Sequence, residues 1–189
     1  PGQGVTATSD HLAGRSGAGP KIAFAGDAVW VVGSVSGRSS VAYRLDATSL
    51  AVRSKITIPG VATAIATASS GLWIASGHEL LRLDPWSGAI LSQVTLSGRV
   101  TDLASNPAGD RLYASTDAPK MGEGSLPLYE LDAWNGAVLR RVGAGTADLG
   151  GVGSLEATNA GVWLSAATGM MGYVAFLPAS NLHARHLPE

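Results

Sequence analysis

Apolar and small polar residues alternate along most of this chain with the two-residue period of a strand, and short turns interrupt the alternation. The clearest stretch runs from Val61 to Leu96. Val61 to Ala68 alternates, Ser69-Ser70-Gly71 turns the chain, and Leu72 to Ser76 is a short β-prone run. Gly77-His78 leads to Glu79–Leu83, and Asp84-Pro85-Trp86-Ser87-Gly88 leads to Ala89–Leu96. In that last turn the Asp carboxylate can accept backbone N–H bonds, Pro presets φ and Gly tolerates φ > 0. Four short strands joined by hairpins within about 40 residues predict one antiparallel sheet.

The unit recurs. Val29-Trp30-Val31, Leu72-Trp73-Ile74, Leu112-Tyr113-Ala114 and Val162-Trp163-Leu164 each follow a small-residue or Asp/Gly turn. Arg44-Leu45-Asp46, Arg82-Leu83-Asp84, Glu130-Leu131-Asp132 and, degenerately, Ala175-Phe176-Leu177 come after them. The aromatics stand 43, 40 and 50 residues apart, inside or near the period of propeller blades. The expected fold is therefore all-β: a β-propeller of four-stranded antiparallel blades, about four in this chain. Their approximate limits are 21–60, 61–98, 99–143 and 151–189, after a polar, Gly-rich arm over 1–20 in which Val5–Thr8 reads as one strand.

The strands of the first blade are read as Ile22–Ala25, Ala28–Val32, Val41–Leu45 and Val52–Ile58. Those of the third are Thr101–Ser105, Arg111–Ser115, Leu128–Leu131 and Ala137–Val142. The fourth has Ser154–Thr158, Gly161–Ala166, Tyr173–Leu177 and Leu182–Leu187, with Pro178 in place of the turn Asp. Trp30, Trp73, Tyr113 and Trp163 share one blade position and are expected to pack between neighbouring blades. Trp86 and Trp134 sit in turns, where they are expected to cover the edge of the adjacent blade.

Composition narrows the function classes. At 189 residues the chain can form one domain burying roughly 70% of its unfolded surface. Charged residues are 14% and the net charge is −1, which leaves no electrostatic footprint for nucleic acid or an anionic membrane. There is no cysteine, hence no disulfide frame and no thiolate metal site. The chain contains no run of 18 apolar residues, the length needed to span a bilayer. The chain begins at Pro1 without Met, which suggests removal of an upstream signal peptide or anchor. The expected location is extracytoplasmic: secreted, periplasmic, or the extracellular domain of an anchored protein.

Gly71-Leu72-Trp73-Ile74-Ala75 together with Leu83-Asp84-Pro85-Trp86-Ser87-Gly88 resembles a blade of the YVTN, NHL and quinoprotein-like propellers. Pro107-Ala108-Gly109-Asp110-Arg111-Leu112-Tyr113-Ala114 is similar to the "s-P-d-G-x-x-l-Y-v" stretch of the YVTN class. The resemblance covers residues 21 to 187, and its glycines and Asp are turn residues that carry no catalysis across. Quinoprotein propellers place a Trp several residues after the turn Gly, whereas Trp86 and Trp134 precede it. Binding of pyrroloquinoline quinone therefore does not transfer. Propellers of the virginiamycin B lyase type share the G-x-x-W landmark, but no His/Glu set here aligns with their Mg²⁺-assisted acid/base residues. The resemblance implies rings of six to eight blades. Four blades then form either a compact ring or part of a larger one completed by another copy or by further sequence, and an open arc exposes two apolar blade faces. Two chains are expected to associate into a ring of about eight blades.

In a four-stranded meander, the second-to-third and blade-to-blade connections emerge on one face and the remaining turns on the other. The first face carries the irregular segments Gly33–Ser40, Thr116–Pro127, Gly143–Gly153 and Ala167–Gly172, and long loops on a rigid scaffold are where binding resides. Its candidate ligand-binding residues are Arg38, His78, Arg99, Asp117, Lys120, Glu123 and Asp148, with Met121, Met170 and Met171 as adaptable apolar contacts. Each charge also reads as a solvated loop residue, and His78 beside Gly77 as a turn residue. His183 and His186 stand outside any carboxylate cluster, and no G-x-S-x-G, H-E-x-x-H, Walker or EF-hand motif occurs. The expectation is a non-enzymatic sensor or interaction module for a protein, peptide or glycan, without cofactor. The alternative is a lyase or hydrolase with its site at the ring centre.

Overall fold

The computed structural model describes residues 19–117, 128–142, 151–168 and 171–179, and every helix-or-strand element among them is a strand. The first sheet holds β1 (Lys21–Ala25), β2 (Ala28–Ser36), β3 (Ser39–Asp46) and β4 (Val52–Pro59). The second holds β5 (Ala62–Ala68), β6 (Gly71–Ser76), β7 (Glu79–Leu83) and β8 (Ile90–Thr95). The third holds β9 (Val100–Ser105), β10 (Arg111–Thr116), β11 (Leu128–Asp132) and β12 (Val138–Val142). The fourth comprises β13 (Gly151–Thr158), β14 (Gly161–Thr168) and β15 (Met171–Pro178) among the described residues. Each is an antiparallel meander in chain order. The expected strands Val5–Thr8 and Leu182–Leu187 lie outside the described residues.

Two expected loops are strand instead. β2 and β3 extend through Gly33–Ser40 to a tight turn at Gly37-Arg38, and β14 and β15 extend through most of Ala167–Gly172. Gly and Ser suggested irregular chain there, but small side chains also allow a ladder to continue with a bulge between Ser34 and Ser36. The Ser34 and Ser40 hydroxyls are 3.3 Å apart across it.

The sheets stack face to face in chain order, their first strands β1, β5, β9 and β13 side by side. An apolar cluster fills each of the three joints. Trp30, Val32, Ala42 and Ile58 meet Leu72, Ile74, Leu81 and Leu83 in the first. Trp73, Ala75 and Leu80 meet Leu103, Leu112, Ala114, Tyr129 and Leu131 in the second. Tyr113 and Leu128 meet Leu155, Val162 and Leu164 in the third. Trp30 and Trp73 are completely buried and Tyr113 nearly so. A buried Trp of 150–250 Å² contributes about 4–6 kcal/mol of transfer free energy.

The landing place of each Trp ring explains the repeated turn glycine. Gly136 has φ +77°, and a Cβ there would stand 2.9 Å from Trp73 Cη2 and collide with Val94. Gly88 has φ +75°, and its Cβ would collide with Ile56 and stand 3.3 Å from Trp30 Cη2. The turn of each following sheet thus closes over the indole of the sheet before it. Trp73 Nε1 also donates to Ala133 O at 3.1 Å. The equivalent carbonyl in the first joint, Pro85 O, accepts from Arg44 Nε instead, and Trp30 Nε1 has no protein partner.

Trp163 departs from the expectation of burial between blades: it is 45% exposed. Its face of the fourth sheet points away from the third, and no following sheet among the described residues covers it. Phe176 stacks on it instead, with ring centroids 4.6 Å apart.

Trp73→Ala removes a ring on which the third sheet rests and is expected to cost about 3–5 kcal/mol in denaturant titration. Trp86→Ala, at a residue 59% exposed, is expected to cost about 1 kcal/mol or less. A more severe loss from Trp86→Ala than from Trp73→Ala would contradict the joint described above.

Candidate functional site

The face bearing the second-to-third and sheet-to-sheet connections is held by its backbone. Gly60 N donates to Arg38 O at 3.0 Å, and Leu96 N donates to His78 O at 2.8 Å. Ser40 Oγ bridges Gly60 O and Ala62 N. Arg99 N donates to Asp117 Oδ1 at 2.7 Å, and Asp117 N returns a bond to Arg99 O at 2.9 Å. Arg38, His78 and Arg99 therefore stand on this face with exposed side chains, while their main chains tie connections together. Met171 opens β15 opposite Thr168. Lys120, Met121, Glu123, Asp148 and Met170 lie outside the described residues. Among the described residues, no group of three or more His, Asp or Glu side chains could hold a metal ion.

The opposite face is built differently, and from the repeat itself. Asp46, Asp84 and Asp132 each end a third strand and fold their carboxylates over the turn that follows. Asp84 Oδ1 accepts from Trp86 N at 3.0 Å, Ser87 N at 2.7 Å and Ser87 Oγ at 2.9 Å. Asp132 Oδ1 accepts from Trp134 N at 2.8 Å and Asn135 N at 3.2 Å. Asp46 Oδ1 takes Thr48 N and Ser49 N, and Arg53 pairs with its other oxygen. Hydrogen bonds that favour the charged form hold two of these carboxyls below the ordinary range. For Asp46 the Ser49 backbone N–H dominates, followed by Arg53. For Asp84 the backbone N–H of Ser87 dominates, followed by its hydroxyl.

Trp86 and Trp134 come two residues after the Asp, so a closed turn presents each indole. They are 59% and 69% exposed. Trp86 lies over the hairpin of the preceding sheet, its ring 3.5 Å from where a Cβ on Gly26 would stand, so it covers that edge as expected. Each Trp turn is also gripped by an Arg from the sheet before it. Arg44 donates to Pro85 O at 3.1 Å and pairs with Asp27 at 2.5 Å. Arg82 donates to Trp134 O, and its guanidinium stands 5.5 Å from the Trp134 ring centroid. Ser70 Oγ donates to Ala133 O beside it. The result is two half-open indoles at equivalent positions on adjacent sheets, on a rigid backbone with a cation beside one ring. Such a surface can stack an apolar or planar group without first ordering a loop.

The sequence reading placed binding on the opposite face. The matched Trp86 and Trp134 turns are visible in the repeat; the missed signal was the Arg two residues before the turn Asp of the preceding blade, Arg44 for Trp86 and Arg82 for Trp134. Arg44 and Arg82 read as ordinary strand residues until the following sheet's carbonyl is brought to them.

No protein-family model and no curated protein sequence matches the chain. Solved structures do. A chain of Kuenenia stuttgartiensis hydrazine synthase superposes with a TM-score of 0.71 at 14% identity, covering 93% of this chain and 50% of that one. The Neurospora crassa Pan2 WD40 domain gives 0.62 at 15%, covering 85% and 48%. A chain of a mitotic checkpoint complex gives 0.60 at 17%, covering 82% and 46%. The fold is a β-propeller's. Its sheets are blades, and this chain spans about half the length of the propeller chains it matches.

Because the folded Asp84 carboxyl lies below its ordinary value, its contribution is complete above about pH 4 and is lost as pH falls through the lowered value. Asp84→Asn is therefore expected to lower the urea midpoint at pH 7 and to flatten its decline between pH 4 and pH 2. An acid limb as steep as that of the wild type would show that the carboxylate does not hold the turn.

Proposed function

We propose that the chain is a non-catalytic interaction module of YVTN/NHL-like repeats, acting outside the cytoplasm as a sensor or docking domain. The observation that carries this reading is the pair Trp86 and Trp134: exposed, equivalent, and presented by turns that hydrogen bonds hold in advance. Exposed aromatics on a preorganised surface are the usual anchors of a protein partner. The partner is a protein segment or peptide laid along the turns, and a glycan face is the other ligand that could stack on the same rings. One propeller of this fold was solved within the mitotic checkpoint complex, a protein assembly, which supports this use of the scaffold. Extracytoplasmic placement belongs to the same proposal, and fractionation of cells carrying the native gene tests it.

Phage-displayed peptides and an immobilised glycan panel, bound to the purified chain, address the site directly. The Trp86→Ala/Trp134→Ala double variant is expected to weaken the selected binders at least about tenfold, the scale of a 1.4 kcal/mol loss. The Arg38→Ala/His78→Ala/Arg99→Ala triple variant is expected to retain them. The reverse pattern would move the site to the connection face and overturn the Trp surface.

A further inference from the structure

Three internal joints define what a blade face looks like when another blade covers it, and both end faces depart from that rule. On the trailing side, each buried aromatic of the first three blades has a charged cross-strand neighbour: Trp30 pairs with Arg44, Trp73 with Arg82 and Tyr113 with Glu130. In the fourth blade Phe176 takes that place and stacks on Trp163, with Val174 69% exposed on the same face.

On the leading side, the second and third blades carry hydroxyls that donate to the blade before. Thr67 reaches Phe24 O at 2.9 Å, and Ser105 reaches Thr67 O at 2.5 Å. Phe24 occupies that repeat position in the first blade and is 60% exposed. Leu50 stands where Gly88 and Gly136 stand, closed by the same turn hydrogen bond to Asp46 O, and keeps φ +58°. A left-handed leucine carries a backbone penalty that glycine avoids.

Every departure is toward a larger or more apolar side chain, on a surface that in an isolated arc meets water. A regular blade does not fit this leading face. Leu50 occupies the space into which an internal joint sinks its indole, so a covering ring must sit farther out. Trp163, stacked on Phe176 and 45% exposed, supplies an apolar surface of that kind.

We propose that the leading face of one copy, centred on Phe24 and Leu50, packs on the trailing face of a second copy, centred on Trp163 and Phe176. A twofold axis along the ring makes the two joints identical and closes eight blades.

Sedimentation velocity on the purified chain is expected to give twice the chain mass of 19.1 kDa. Phe24→Asp and Val174→Asp each alter an exposed side chain, and circular dichroism verifies that each variant keeps its fold. Each alone is expected to be monomeric, because every ring would carry two damaged joints. An equimolar mixture of the two is expected to regain dimer, since one of its two joints pairs two intact faces. Ile22→Asp, 69% exposed on the same leading strand, replaces Phe24→Asp if that variant misfolds. A wild-type monomer at the highest attainable concentration overturns the proposal. So does a dimer that persists in either single variant, which would mean that like faces pair.

Discussion

The fold depends on an indole of one blade packed beneath a glycine of the next. Trp73 is wholly buried, and Gly136 closes over it with positive φ and too near Val94 and the indole to leave room for a Cβ. Trp30 and Gly88 repeat the arrangement. The contact joins residues 63 and 58 positions apart, so it forms only when two sheets are already built. Each blade by itself is a small sheet with two apolar faces; stacking gives those faces somewhere to go.

Around this contact the joints use different polar devices. The first two place an Arg under the following turn, at Pro85 O and Trp134 O. In the third, Glu130 replaces the Arg and is held within its own blade by Arg111 and Arg140, each 3.4 Å away. Burial, and next the Glu130 charge, push the Tyr113 phenol above its ordinary value. The hydroxyl ladder between first strands also stops there. Ala157 follows Thr67 and Ser105 in the repeat, and Asp102 Oδ2 accepts from Leu155 N at 2.7 Å instead. Joints that share one aromatic wedge can therefore differ in charge, because the wedge supplies the area and the polar groups need only be satisfied.

The same joints create the candidate site. An Arg that fastens the following turn from below leaves the indole at its tip outside, and the Asp carboxylate shapes the turn that presents it. Trp86 and Trp134 are thus positioned by interactions that also hold the blades together. Candidate surface and scaffold are mechanically continuous, unlike a site on a long loop.

Alternation, turn residues and the recurrence of Trp and Asp were enough to read the blades, most of their strands and the buried rings at Trp30, Trp73 and Tyr113. These are local or periodic properties: a strand's faces follow its sequence at period two, and a turn depends on the few residues within it. Three things needed the assembled chain. Gly33–Ser40 reads as loop but pairs as strand, because ladder bonds come from a partner strand. Trp163 stands in the same G-x-W pattern with apolar flanks as Trp73 yet remains 45% exposed, because burial belongs to the neighbouring blade and not to the residue. The Trp86 and Trp134 surface rests on Arg44 and Arg82, whose partners lie 41 and 52 residues away. Sequence determined which faces of each blade are apolar; only tertiary packing decided which of those faces are covered, because covering requires a second surface that no local pattern contains.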